Sequence, residues 1–235
     1  MNPKSTSKDI FGLAVEAYYK NKDITPITVH NTDFYDDEIP VDYLFRSYDE
    51  MPKIEQVALD LCVGKVLDVG CCAGSHSLEL KAKGHDILPI DVSKKCIETC
   101  QKRGLEEAKH IDFFELKDQT FDTILLLMNG IGIAQSLRQL PVFFEKLKNL
   151  MHQDSQVLLD SSDLIFLYEG EMLEDDPYYG EMVYTTSYKN QVSDAFSWLY
   201  LDFNSLKTAA YKQNLSCKLV LEDDHYGFLA KLELI

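Results

Sequence analysis

Apolar runs alternate with amphipathic stretches from residue 65 onward, and this alternation predicts the order of the elements. Continuous apolar runs such as FDTILLLM are typical of parallel strands that are covered on both faces. The predicted strands are Lys65–Val69, Asp86–Ile90, Lys109–Phe113, Phe121–Met128 and Gln156–Asp160. Helices are predicted to begin at Ser75, Ser93 and Pro141, because serine caps helix starts and proline suits their first turn. Such an order predicts a doubly wound α/β sheet with right-handed crossovers.

The last third of the chain has a different pattern, rich in aromatic residues. Met182–Tyr188 and Phe196–Leu201 are predicted to pair as antiparallel strands, and a helix is expected from Ser205 to about Lys212. Cys217–Glu222 and Tyr226–Leu234 are predicted to form a closing antiparallel hairpin. The fold class expected is therefore α/β, with a mostly parallel sheet that ends in a C-terminal antiparallel hairpin.

The pattern also predicts how the chain is divided. Residues 1–55 contain many aromatic side chains but little periodicity, so we expect a helical cap or lid over the carboxyl ends of the strands. Residues 56–235 are predicted to form the main domain, with a β-rich insert at about 170–203. Pro89 fits its predicted strand poorly, because proline removes a ladder donor and is found at bulges or unpaired edges.

The composition of the chain limits the kinds of partner that it is expected to bind. A chain of 235 residues that is 46% hydrophobic can bury one full core, and its net charge of −16 disfavours nucleic acid as a general partner. No apolar leader or membrane-spanning run is seen, so no membrane association is expected. The six cysteines are not spaced as in a disulfide framework. Cys96 and Cys100 have the spacing of a pair of metal ligands, but we interpret them as small buried side chains. These patterns predict a cytoplasmic monomer or homodimer without a metal site.

The most informative segment is VLDVGCCAG at residues 66–74, where a buried strand runs into a turn of small residues. Glycine in such a turn lets the backbone approach a nucleotide-like ligand closely. A protein that binds a nicotinamide cofactor would show the motif G-x-G-x-x-G. The corresponding segment here is GCCAGSH at residues 70–76, in which the third glycine is missing. Asp68 would repel a pyrophosphate but attract a sulfonium and an ammonium. The turn therefore favours S-adenosylmethionine.

Two further acids follow later strands. Asp91 lies 21 residues after Gly70, where a carboxylate can accept both hydrogen bonds of a ribose diol. Capping of the helix that begins near Ser93 is the alternative role for Asp91. Asp112 is predicted to end the third strand, where it would accept the amino group of an adenine ring; a plain capping role is equally compatible with the pattern. Carboxyl ends of parallel strands face one crevice, so the acids are expected to converge.

With these motifs the chain resembles class I S-adenosylmethionine-dependent methyltransferases, a Rossmann-like family, over about residues 56–235. The family motif D/E-x-G-x-G-x-G is matched by Asp68, Gly70 and Gly74, with Cys72 where the middle glycine is usual. The segment FDTILLLMNGIG matches the fourth-strand motif. The cofactor-binding residues that the resemblance implies are Asp68, Gly70, Cys71, Gly74, Asp91, Val92, Asp112, Phe113, Asn129 and Gly130.

Three further segments, PVDYLFRSYDEMPKIEQVALDL, MNGIGI and LLDSSD, resemble uncharacterised bacterial members that are taken to act on small molecules. The resemblance therefore implies methyl transfer to a small-molecule acceptor. A cofactor-binding protein of the same fold without transfer activity is the main alternative, and a nicotinamide oxidoreductase is the other. Catalytic residues are not identified; Tyr43, Arg46 and Trp198 are candidates on the acceptor side, and Arg46 is the expected partner of an anionic substrate. His76 is expected to face solvent.

Overall fold

A computed structural model describes residues 8–168 and 178–235, and all structural statements below concern those residues. Its helices are α1 Ile10–Asn21, α2 Lys53–Leu61, α3 Ser75–Ala82, α4 Lys94–Lys102, α5 Leu140–Asn149 and α6 Phe203–Tyr211. Its strands are β1 Ile27–Asn31, β2 Asp37–Ile39, β3 Lys65–Val69, β4 Asp86–Asp91, β5 Lys109–His110, β6 Phe121–Leu126, β7 Met151–Ser162, β8 Glu181–Tyr188, β9 Gln191–Val192, β10 Phe196–Leu199, β11 Leu215–Glu222 and β12 Gly227–Leu234.

The larger sheet has the strand order β11-β12-β7-β6-β3-β4-β5. Strands β3 to β7 pair in parallel, whereas β12 runs antiparallel to both β7 and β11. The predicted fold class, a mostly parallel sheet with a closing antiparallel hairpin, is confirmed. Because β3 lies between β4 and β6, the crevice where the strand order reverses opens directly beyond the end of β3.

Strand β6 shows why the apolar runs of the sequence become central strands. Ile124 and Leu126 lie in one apolar cluster with Phe143 and Leu147 of α5. Leu125 points to the opposite face, where it joins a second cluster that contains residues of α2. Helices therefore cover both faces of the sheet, and a strand buried on both faces favours apolar residues at successive positions, as at Ile124, Leu125 and Leu126.

A second, smaller sheet extends the predicted antiparallel pair, because residues 1–55, expected to form a helical cap or lid, contribute two strands to it. Strand β1 pairs antiparallel with β2 and also with β8, through pairs such as Thr28 with Ser187. Strands β9 and β10 pair with β8, as the antiparallel prediction for this region required. The short run ITVHN is stabilised by β8, a partner far along the chain, and DEI in turn pairs with ITVHN, so the local pattern of either run predicts a strand only weakly. The predicted start of the insert, about residue 170, lies outside the described residues.

The predicted third and fifth strands of the larger sheet differ most from the observed limits. The third ends at His110 instead of Phe113, and Asp112 caps the 3-10 turn Phe113–Glu115 that follows. The fifth strand begins at Met151 instead of Gln156. The residues between them are polar, so a hydrophobicity pattern does not mark them as part of a strand. Their pairing with β6 is also irregular. Pro89 lies at an unpaired edge as expected, because β5 pairs only with Ile90 and Asp91.

The N-terminal segment is fixed beside the turn that follows β3. The Asp9 carboxylate caps α1 through the N–H of Gly12 (2.8 Å) and also accepts the Ser93 hydroxyl of the α4 cap (2.7 Å). The Ser75 hydroxyl, at the start of α3, donates to the carbonyl of Leu44 at 2.9 Å. These contacts hold residues of the predicted cap against the starts of α3 and α4. Residues 1–55 as a separate unit and 56–235 as one domain stay predictions.

Candidate functional site

The turn after β3 has the backbone conformation that its small residues suggested. Gly70, Cys72 and Gly74 all have positive φ, at 75°, 50° and 84°. A Cβ added at Gly70 would meet no atom within 4 Å, so this side of the turn is open for a ligand. At Gly74 a Cβ would lie 2.6 Å from the Cδ1 atom of Leu105, so this glycine is required for packing. Cys71 is buried under the turn.

Asp91 ends β4 beside this turn, as predicted. One carboxylate oxygen accepts the N–H of Cys72 at 2.9 Å, and the other accepts the N–H of Ser93 at 2.7 Å. Burial raises the pKa of Asp91 to about 6, so the group is mainly ionised at neutral pH. Each oxygen keeps a free lone pair, which fits a ribose diol. Val92, next along the chain, is 68% exposed at the rim of the crevice.

Asp68 is placed differently from Asp91. Its side chain is 2% exposed and accepts a hydrogen bond from the Ser77 hydroxyl at 2.5 Å, below the turn. Burial raises the pKa of the Asp68 carboxyl. Asp68 therefore braces the first turn of α3 from inside the protein. Its predicted interaction with the cofactor cation stays a prediction.

The third predicted acid lies outside the sheet. Asp112 is exposed and accepts the N–H of Phe114 at 2.8 Å, which is the capping role weighed as its alternative. Phe113 is buried against Phe143, with ring centroids 5.9 Å apart, whereas Phe114 is partly exposed. Contacts of Asp112 and Phe113 with an adenine ring stay predictions.

The loop after β6 carries Asn129 and Gly130, and Asp160 of β7 holds it. The Asp160 carboxylate accepts the backbone N–H of Met128 at 3.1 Å and that of Gly130 at 3.2 Å. Met128 and Asn129 are both left-handed, with φ of 63° and 57°, so this loop needs such support. The Asn129 side-chain oxygen accepts the Ser162 hydroxyl at 3.0 Å. Burial raises the pKa of Asp160 to about 7.

The acceptor-side candidate Arg46 belongs to a buried charged cluster with Glu55 and His76. Arg46 is 6% exposed, and its guanidinium forms an ion pair with Glu55. The same Glu55 oxygen lies 2.7 Å from Nε2 of His76. Burial opposes ionisation of Glu55, but its bonds to His76 and Arg46 hold the pKa of Glu55 below its usual value. His76 is therefore buried and paired, which corrects the expectation that it faces solvent.

The other two acceptor-side candidates lie near this cluster and the Asn129 loop. The Arg46 guanidinium lies over the Tyr43 ring, 4.0 Å from its centroid. Trp198 of β10 packs on Gly132, where an added Cβ would lie 2.0 Å from the indole. Trp198 thus ties the smaller sheet to the loop that follows β6. Tyr43 and Trp198 are both at the carboxyl-end side of the parallel strands.

Sequence reasoning missed Glu55 and Asp160. Glu55 had a usable signal, because it lies four residues before Leu59 on the apolar face of α2 and is itself buried. An acid in that position is seldom buried without a partner. Asp160 had no such signal, since its partners are backbone groups of a loop that lies 30 residues away.

The crevice, the open glycine turn and the acid at the end of β4 define a nucleotide-binding α/β protein, and comparisons with known proteins refine that class. A family model described as a methyltransferase domain matches residues 66–154. A crystal structure of an S-adenosylmethionine-dependent methyltransferase from Bacteroides fragilis, in complex with S-adenosyl-L-homocysteine, is 38% identical to the chain. That alignment covers 97% of this chain and 95% of the other, with a TM-score of 0.89.

Two curated relatives match shorter regions. The cypemycin N-terminal methyltransferase of a Streptomyces species is 28% identical over 102 residues, which is 42% of each chain. The ubiquinone biosynthesis O-methyltransferase of Pasteurella multocida is 35% identical over 68 residues, 29% of this chain and 28% of that protein. The chain thus spans less than half the length of either curated relative.

The chain belongs to the S-adenosylmethionine-dependent methyltransferase family, and S-adenosylmethionine is its cofactor. Both predictions are confirmed. The residues present fit this cofactor, because Gly70 leaves open space at the turn and Asp91 offers two acceptor oxygens beside it. Within residues 8–168 and 178–235, every helix is too short or too polar to cross a lipid bilayer.

The left-handed backbone of Cys72 leads to a testable expectation. A side chain in this conformation costs about 1–2 kcal/mol, while glycine loses about 0.5–1 kcal/mol more entropy on folding than alanine. We therefore expect Cys72→Gly to be more stable than Cys72→Ala by about 0.5–1 kcal/mol, measured by urea unfolding. An alanine variant as stable as the glycine variant would show that residue 72 leaves the left-handed region in solution.

Proposed function

We propose that this chain transfers the methyl group of S-adenosylmethionine to a neutral or cationic small-molecule acceptor. The observation that carries the proposal is the buried Arg46–Glu55–His76 cluster beside the cofactor turn. The charge of Arg46 is already compensated by Glu55, so this arginine is poorly suited to receive an anionic acceptor. Asp160 adds a further carboxyl group on the same side.

The bound cofactor supplies a methyl group on a sulfonium, which an acceptor atom displaces in line. The contribution of the chain is positioning and exclusion of water, both of which accelerate such a displacement. Cofactor-binding roles are proposed for the open turn at Gly70 and Gly74 and for the carboxylate of Asp91. Asn129 and Gly130, held by Asp160, border the acceptor side.

The names of the relatives and the aromatic surface of the site indicate which acceptor atoms to test first. The curated relatives are an N-terminal methyltransferase and an O-methyltransferase, so amines and hydroxyl compounds are the first acceptors to test. Tyr43 at the cluster, and Trp198 against Gly132 of the loop after β6, add aromatic surface, which suits an organic molecule or an amine. The cytoplasmic location and the monomeric or homodimeric state stay predictions.

A transfer assay tests this proposal. The full chain is incubated with methyl-labelled S-adenosylmethionine and a panel of small amines, phenols, sugars and carboxylic acids, and label in the acceptor fraction is counted. We expect transfer to an amine or hydroxyl compound. Calorimetry with S-adenosyl-L-homocysteine runs in parallel: binding without transfer to any acceptor would favour the cofactor-binding alternative, and transfer to carboxylic acids alone would contradict the charge argument.

A further inference from the structure

Asp160 lies at the level where the parallel strands end, because its neighbour Leu159 pairs with Leu126, the last residue of β6. Its two oxygens accept the backbone N–H groups of Met128 and Gly130, at 3.1 and 3.2 Å. Each oxygen keeps a lone pair, so support of the loop after β6 does not use the full capacity of this carboxyl group. The residue is partly exposed, so a ligand in the crevice can reach it.

The Asp160 side chain faces the side of the sheet that α2 covers. Side chains two residues apart on a strand point to the same face, and Leu158 packs in one apolar cluster with Leu59 of α2. Glu55 belongs to the same helix and is buried. The charges of Glu55 and His76 both act on the Asp160 carboxyl group, whose pKa Glu55 raises and His76 lowers. Asp160 therefore shares one side of the site with these two groups.

The charge of Asp160 also reaches two tyrosines, Tyr43 and Tyr200. Tyr200 is held close by its neighbour Leu201, whose N–H donates to the Ser161 hydroxyl at 2.8 Å. Burial is the main reason that the pKa of both tyrosines is raised, and the Asp160 charge adds to it. Both hydroxyl groups therefore stay protonated at neutral pH, and neither can compensate a negative charge on Asp160.

The charge of Asp160 is balanced differently from that of Glu55. Glu55 pairs with Arg46 and His76, so its charge is compensated inside the protein. Within residues 8–168 and 178–235, no lysine, arginine or histidine forms an ion pair with Asp160. Burial raises the pKa of Asp160 to about 7, so the group can gain and lose a proton near neutral pH. A carboxylate that is surrounded by protein and lacks a counter-charge favours a cationic ligand.

We propose that the acceptor is an amine and that Asp160 binds its ammonium form and takes up one of its protons; this inference rests on the proposed methyl transfer. An N–H bond of the ammonium ion breaks as an O–H bond forms on Asp160. The freed nitrogen lone pair then forms a bond to the methyl carbon, and the carbon–sulfur bond breaks with its electron pair left on sulfur. The methylated nitrogen carries the positive charge that the sulfonium loses.

Matched pairs of compounds test the amine class on the full chain. The amines are benzylamine, phenylethylamine and glucosamine, and each is compared with the compound that has a hydroxyl group instead: benzyl alcohol, phenylethanol and glucose. Transfer of labelled methyl is measured at saturating S-adenosylmethionine. Calorimetry measures binding of each compound to the protein that holds S-adenosyl-L-homocysteine. We expect the amines to bind at least about tenfold more tightly than their alcohols and to accept the label.

The pH dependence of transfer separates proton uptake by Asp160 from support of the loop. In the wild type, kcat/KM for the best of the three amines should be level above about pH 7 and fall below it, because protonated Asp160 takes up no further proton. Asp160→Asn should lower kcat/KM about a hundredfold at neutral pH. Only free amine from solution reacts in this variant, so its kcat/KM should rise steadily with pH and show no level region.

Two further variants serve as controls. Asp160→Glu keeps a carboxylate and should retain the level region, whereas a purely structural role would lower activity equally at every pH. Asp154→Asn, at an exposed acid near the other end of β7, should match the wild type. Calorimetry with S-adenosyl-L-homocysteine should give affinities within about threefold of the wild type for all three variants.

Several results would overturn the role of Asp160. These are methylation of the alcohols as readily as the amines, a wild-type profile that does not fall below pH 7, and a level region that persists in Asp160→Asn. The wild-type profile decides the question even if Asp160→Asn does not fold. Absence of transfer to all six compounds, in a protein that binds S-adenosyl-L-homocysteine, would contradict the proposed methyl transfer itself and the role of Asp160 with it.

Discussion

Replacing Asp91 by alanine is expected to lower the affinity for S-adenosyl-L-homocysteine about a hundredfold. Two hydrogen bonds from the ribose diol to a carboxylate contribute about 1.5 kcal/mol each, and about 1.4 kcal/mol corresponds to a factor of ten. The loss includes the bond between Asp91 and the N–H of Cys72, which helps to shape the turn. Calorimetry at neutral pH measures the change.

The pH dependence gives a second readout for Asp91. Because burial raises the pKa of Asp91 to about 6, the wild type should bind S-adenosyl-L-homocysteine more weakly as the pH falls through 6. Asp91→Asn is expected to remove this pH dependence. Asp112→Ala, at an exposed acid that caps a 3-10 turn, serves as the comparison with a smaller expected effect. An affinity of Asp91→Ala within threefold of the wild type would rule out the ribose role.

Glu55→Gln is expected to destabilise the fold by about 3 kcal/mol, because it leaves the buried Arg46 guanidinium without its counter-charge. Urea unfolding at neutral pH measures the loss. The matched control is Glu233→Gln, whose carboxylate pairs with Lys218 and Lys231 at the surface and should change stability by less than about 1 kcal/mol.

The pH dependence of the stability lost in Glu55→Gln provides a second test. The pKa of Glu55 is lower in the folded protein than in the unfolded chain, so its stabilising contribution is present above the unfolded value and is lost as the pH falls. The stability difference between wild type and Glu55→Gln should therefore shrink in acid. Equal losses for Glu55→Gln and Glu233→Gln would show that the ion pair with Arg46 contributes nothing.

The parts of the site that the sequence predicts correctly are local. The turn from Gly70 to Gly74 and the position of Asp91 depend on a strand, a turn and the next strand, so each has a motif with fixed spacing. Ser93 caps α4 through the N–H of Cys96 for the same reason. Local steric and hydrogen-bonding rules are sufficient there.

The features that sequence reasoning missed depend on distant partners. Glu55 is stabilised by Arg46 and His76, which come from two other elements, and Asp160 by a loop that precedes it in the chain. Strand β1 is polar at several positions and becomes a strand because β8 pairs with it. No spacing within one segment encodes such contacts, since they form only when the whole chain has folded.

The smaller sheet also affects the order in which the protein assembles during synthesis. Strand β1 is synthesised well before β8, but Thr28 pairs with Ser187 and Asn31 with Tyr184. Until β8 is made, β1 keeps a free hydrogen-bonding edge, which is the kind of edge that pairs wrongly with other chains. The strands that carry the cofactor turn join through short connections and can form earlier. Nascent chains that end before β8 should therefore aggregate more readily than chains that include it.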